Sequence, residues 1–132
     1  MPKTSVLQFF NYTVEEIQFQ KIEVAPDQGN FEISTQFNQQ LVDCGDNNYD
    51  VKLSVKIEPS EEHPLPFKIF VSIVGHFNYN NANSDETMKQ NILHQNTVAI
   101  LFPFVRSIIA SLTSTANVPA LMLPIMDFSD VS

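Results

Sequence analysis

The spacing of apolar side chains changes once along this chain, from every second residue to every third or fourth. Tyr49, Val51, Leu53, Val55 and Ile57 alternate with Asp50, Lys52, Ser54 and Lys56, whereas Val98, Leu101, Phe102, Val105, Ile108, Ile109 and Leu112 follow a longer period. Side chains of a strand alternate between two faces, and those of a helix return to one face after three or four residues. The first set therefore describes a half-buried strand and the second one face of a helix. Three more stretches keep the two-residue period. Residues 9–19 end in Ile17 and Phe19 with Gln18 between them; residues 30–41 set Phe31, Ile33, Thr35 and Phe37 against Glu32, Ser34 and Gln36; residues 67–79 carry Phe67, Ile69, Val71 and Ile73 on one side. Four strands with short connections imply an antiparallel sheet, and strands first with helix last make the class α+β.

Breaks between the periodic stretches carry their own chemistry. Cys44-Gly45-Asp46-Asn47-Asn48 is rich in residues that tolerate positive φ, and Pro59, Pro64 and Pro66 mark a loop. The polar run 78–85 closes the sheet; Asn83 is the expected helix cap, with Glu86 three residues later completing a capping box. Pro103 lies inside the helical pattern and predicts a kink or a restart, with Asn96 as a second cap. Residues 118–125 are apolar but hold Pro119 and Pro124, so they are expected to lie extended against a surface. No internal repeat interrupts this order, and a length of 132 residues suits a single domain over 1–132.

Charge narrows the function. A formal net charge of -8 with only seven Lys and Arg leaves little to neutralise phosphates, so nucleic acid is not an expected partner. An acidic surface instead attracts basic chains, including unfolded segments rich in Lys or Arg. Cys44 is the one cysteine, which fits a reducing, cytoplasmic setting, and the first residues lack the apolar core of a signal peptide. Residues 98–109 are interrupted by Pro103 and Arg106 and fall short of the ~20 residues of a bilayer crossing, so membrane insertion is not expected.

Sites for chemistry are missing from the pattern. His63, His76 and His94 are far apart with no ligand spacing around them, so no metal is expected; His76 reads as a half-buried strand residue. Glu15 with Glu16, and Glu61 with Glu62, are adjacent pairs that a regular strand would send to opposite faces. Cys44 has no neighbouring cation to lower its pKa. With only Gly29, Gly45 and Gly75, a phosphate-cradling loop is excluded. No enzyme and no cofactor is expected, and the excess of aromatic and aliphatic side chains, eleven Phe among them, points to binding or assembly.

From Asn91 the segment NILHQNTVAILFPFVRSIIASLTSTANVPALMLPIMDF resembles the helical half of the SecB export chaperones. Ile100, Leu101, Phe102, Pro103, Phe104 and Arg106 match that family's motif in register, and Pro119, Leu121, Leu123 and Phe128 keep its later spacing. Upstream, EEIQFQ before Ala25-Pro26, Tyr49-Asp50-Val51, and Pro66-Phe67 through Gly75-His76-Phe77 are similar to its strands. The resemblance implies a four-stranded antiparallel sheet with helices packed on one face, dimers that pair into tetramers, and an ATP-independent holdase for unfolded preproteins in export. It implies a client groove at Phe31, Ile33, Phe67 and Phe104, and a docking surface for the SecA motor at Glu16, Gln20, Lys68 and Phe70. At the last three of these positions the family usually has an acid, an apolar residue and an acid, so the acidic patch that the motor meets in the family is kept here only at Glu16. The family's last helix and acidic tail have no counterpart before Ser132, which implies a groove open on one side. Shortened members resemble chaperones that protect the antitoxin of a toxin-antitoxin system, and this is the alternative to general export. A structural homo-oligomer that binds no client is the reading from another class.

Overall fold

The computed structural model describes residues 7–22, 35–60, 65–80 and 85–115, and within them the two periodicities become one sheet and one helical rod. The strands are β1 (Leu7–Lys21), β2 (Thr35–Gly45), β3 (Asn48–Ile57) and β4 (Phe67–Tyr79), all antiparallel, in the order β1-β4-β3-β2. Asp46 and Asn47 have φ of 54° and 64°, the positive values that a two-residue hairpin turn between twisted strands requires. The turn is narrower than the sequence implied, because β2 continues through Cys44 and Gly45 and β3 begins at Asn48. Residues 30–34, which the alternation assigned to the second strand, lie outside the described residues, as do 118–125.

β3 and β4 are central, and the side they bury is the odd-numbered one: Val51, Leu53, Val55, Ile57, Phe67, Ile69, Val71, Ile73 and Phe77 form the core with the rod. The rod consists of α1 (Glu86–Asn91), a π turn (Ile92–Asn96) and α2 (Thr97–Thr115). Its cap is Asp85 rather than Asn83, since the Asp85 Oδ1 accepts from the Met88 N–H at 2.7 Å and so satisfies one of the free donors of the first turn. The expected restart at Asn96 is also corrected. Asn96 sits inside the π turn and α2 runs through Pro103.

Magnitudes explain why the proline is tolerated. Pro in a helix interior costs ~3 kcal/mol. Burying each of Val98, Leu101, Phe102, Val105 and Ile109 against the sheet returns ~1.5 to 3 kcal/mol, so their sum outweighs it. Pro103 and Ala99, whose carbonyl loses its donor, are both exposed, so water can reach that carbonyl. The continuous rod is 30 residues long, which corrects the limit that length was expected to place on a bilayer crossing; here its apolar side is packed on the sheet.

Candidate functional site

β1 is the edge strand beside β4, and two irregularities interrupt its register, between Phe9 and Asn11 and between Val14 and Glu16. An extra residue in a strand shifts the alternation by one. The second shift brings Val14 and Ile17, three residues apart, to the rod side opposite Ile73 and Val71. It also corrects the expectation that Glu15 and Glu16 diverge: Glu15 reaches Lys52 at 3.0 Å across the outer face, while Glu16 faces the same way and accepts from the Gln18 amide at 3.1 Å. The two carboxylates serve separate partners and do not form an acid/base pair.

On the rod side of β1 an aromatic row is only partly covered. The Phe104 ring, from α2, lies 4.4 Å from the ring of Tyr12 and 5.8 Å from that of Phe9, and Phe9 lies 5.2 Å from Phe77. Beside them Val14 is 41% and Ile17 is 44% exposed. Phe67 stands on this side too, stacked on Phe19 at 6.2 Å but only 4% exposed. The structure thus brings Phe67 and Phe104 to one side of the rod, Phe104 half-buried and Phe67 almost covered. Phe31 and Ile33 lie outside the described residues; β2 runs along the opposite edge of the sheet, where Phe37 meets Phe102 at 5.7 Å. The sequence assigned Ile17 to the first strand but did not bring Tyr12, Val14 and Ile17 together as site residues, because the shift between Val14 and Glu16 puts Ile17 out of step with the other two.

The outer face is polar. Glu16, Gln20, Lys68 and Phe70, expected together as a docking surface, do converge: with Gln18, Lys56 and Glu58 they line a depression of 460 Å³. Farther along, Thr13 Oγ1 is 3.2 Å from His76 Nε2, and His76 Nδ1 is 2.8 Å from Asp50 Oδ1. This row ties β1, β4 and β3 together, so His76 is the half-buried strand residue the sequence indicated. Slight desolvation by its neighbours and then the Asp50 carboxylate push the exposed Cys44 thiol above its usual pKa, away from a nucleophile's range. Among the described residues no three His, Cys, Asp or Glu side chains are placed to hold a metal. Along the exposed side of α2, Pro103, Arg106, Ser107, Ala110, Ser111 and Ser114 line a trough of 630 Å³.

The preprotein translocase subunit SecB family matches residues 8–131. The protein-export protein SecB of Anaplasma phagocytophilum is 38% identical over 85 residues, covering 61% of this chain and 52% of that protein. That of Sphingopyxis alaskensis is 31% identical over 101 residues, covering 76% and 58%. The chain spans about half the length of these curated relatives. Among solved structures, a SecB-like chaperone of Mycobacterium tuberculosis in complex with an antitoxin peptide superposes with a TM-score of 0.72 at 17% identity, covering 91% of this chain and 90% of that one.

Proposed function

Given that the chain belongs to the SecB family, we propose that it is an ATP-independent chaperone that holds non-native, extended polypeptide without covalent chemistry of its own. The observation that carries this reading is the row of Phe104, Tyr12, Val14 and Ile17, an apolar strip left partly open beside a well-packed core. Aromatic rings bury large areas with few rotatable bonds, so they hold varied sequences through many weak contacts. The clients are unfolded preproteins on the way to export. A motor such as SecA would meet the outer depression, where Glu16 and Glu58 are balanced by Lys56 and Lys68. Assembly of copies into dimers and higher oligomers would use the small-residue trough on α2 and the free edge of β1.

A second reading, protection of one antitoxin in the cytoplasm, is supported by the likeness in fold to a SecB-like chaperone solved with an antitoxin peptide, which covers about nine-tenths of both chains.

Light scattering from a denatured protein diluted with and without this chain, in the absence of ATP, tests the proposal. Suppression of scattering is expected, and it should weaken in Phe104→Ala and in the double variant Val14→Ser with Ile17→Ser. Because Val14 and Ile17 are 41% and 44% exposed and stand outside the core cluster, their variant should keep its unfolding transition. Full suppression by both variants would remove the strip from client binding. No suppression of general clients, with tight binding of one antitoxin, would leave only the second reading.

A further inference from the structure

We propose that the apolar strip of β1 is half of a client groove, and that a second copy of this chain completes it by pairing its own β1 with the free edge of the first; this rests on the holding function proposed above. A free edge is a row of unpaired backbone donors and acceptors, open to a strand whose faces match. On β1 the register shift between Val14 and Glu16 leaves even-numbered Tyr12 and Val14, then odd-numbered Ile17 and Phe19, on the rod side. Antiparallel pairing of β1 with a copy of itself therefore matches faces when the first half of one strand meets the second half of the other.

One register does this along the strand. Setting Val14 against Ile17 of the second copy also sets Tyr12 against its Phe19, and on the outer side Thr13 against its Gln18 and Asn11 against its Gln20. Aliphatic then lies by aliphatic, aromatic by aromatic and polar by polar, which is the self-complementarity of a two-fold interface. Like charges meet only near the axis, where Glu16 faces Glu15 of the second copy, and there Lys52 bridges Glu15 at 3.0 Å.

The two-fold axis of an antiparallel pair stands perpendicular to the sheet, so both rods end on the same side. Each α2 lies over the middle of its own sheet: Leu101 packs on Gly75 of β4, Phe104 reaches Tyr12 of β1, and Phe102 reaches Phe37 of β2. With strands ~4.8 Å apart, the two rods stand ~19 Å apart, axis to axis, where the two-fold passes. Helices ~10 to 12 Å across leave an opening of ~8 Å between them, wide enough for one extended chain and too narrow for a helix. In one copy alone the strip has Phe104 on one flank and water on the other; in the pair, Phe104 of the second copy stands on that other flank. Edge pairing uses the backbone of β1 and leaves the rod-side faces of Val14 and Ile17 open as the floor.

The test uses two charge variants of the full chain, Asn11→Lys with Gln20→Lys and Asn11→Glu with Gln20→Glu. Both positions are exposed on the outer face, so the strip itself is untouched, but in this register each variant sets like charges against each other at both ends of the pairing. By sedimentation equilibrium each variant alone should have half the mass of the wild-type assembly, and it should suppress scattering of a denatured protein several-fold less per chain while keeping its unfolding transition. A one-to-one mixture, in which Lys meets Glu, should recover both the wild-type mass and the suppression. A monomeric wild type, variants that keep the wild-type mass, variants of half mass that suppress as well as wild type, or a mixture that recovers neither property would overturn the proposal. If wild type suppresses nothing, the holding function falls and the groove with it, while the masses still report the pairing by themselves.

Discussion

Gly75 occupies the rod side of β4 between Ile73 and Phe77, where the alternation calls for an apolar side chain. A Cβ added there would stand 2.6 Å from Leu101 Cδ2 and 2.7 Å from Phe77 Cε2. In an unconstrained strand Gly→Ala gains ~0.5 to 1 kcal/mol through the unfolded chain. Over-packing a tight core costs ~1 to 3 kcal/mol and reverses that sign. Gly75→Ala is therefore expected to lower the midpoint of urea unfolding; a raised midpoint would mean that Leu101 swings aside without penalty. From the sequence Gly75 was only one of three scattered glycines, because the reason for it comes from a residue on α2. Lys89 shows the same dependence on distant partners: the Tyr49 side chain, over whose ring its ammonium lies, raises its pKa, and no spacing in the sequence joins the two.

The strands and the helical face were legible because each is written as a local period, and β3 and β4 keep theirs to within a residue. What escaped were the places where the period slips. In β1 the slips hide Val14 and Ile17, so the sequence pointed to Phe104 but not to the strand beside it. In the rod the slip is the π turn, whose trace in the sequence is the five-residue step between the buried Leu93 and Val98. The turn is supported by side chains: Thr97 Oγ1 donates to the Leu93 carbonyl at 2.5 Å, and Gln39 Nε2, from the rod side of β2, donates to the His94 carbonyl at 2.8 Å. Gln39 is a polar residue between Phe37 and Leu41, and this bond accounts for it. Gln39→Leu would leave a part-buried carbonyl without that donor, at a cost of ~1 to 3 kcal/mol. The expected result is a lower thermal midpoint with faster amide exchange across 92–97; unchanged exchange would show that the turn holds without β2.

With a net charge of -8, the whole molecule repels acidic chains at long range and attracts basic ones. A denatured basic protein should be kept from aggregating at a lower ratio of this chain than a denatured acidic protein of similar size, and added salt should narrow the difference. Equal ratios in low salt would confine client choice to contacts inside the apolar strip. The strand order has a kinetic consequence as well. β2, β3 and β4 join neighbours in sequence, the first pair through a two-residue turn, whereas β1 must find β4 across residues 22–66. Closing that larger loop is entropically later than forming the hairpin, so contact separation favours β1 as the last strand to dock. Until it does, a newly made chain shows its surroundings the bare edge of β4 and the rings of Phe77 and Phe104, and for that interval it is itself the kind of non-native chain that the proposed function has it hold.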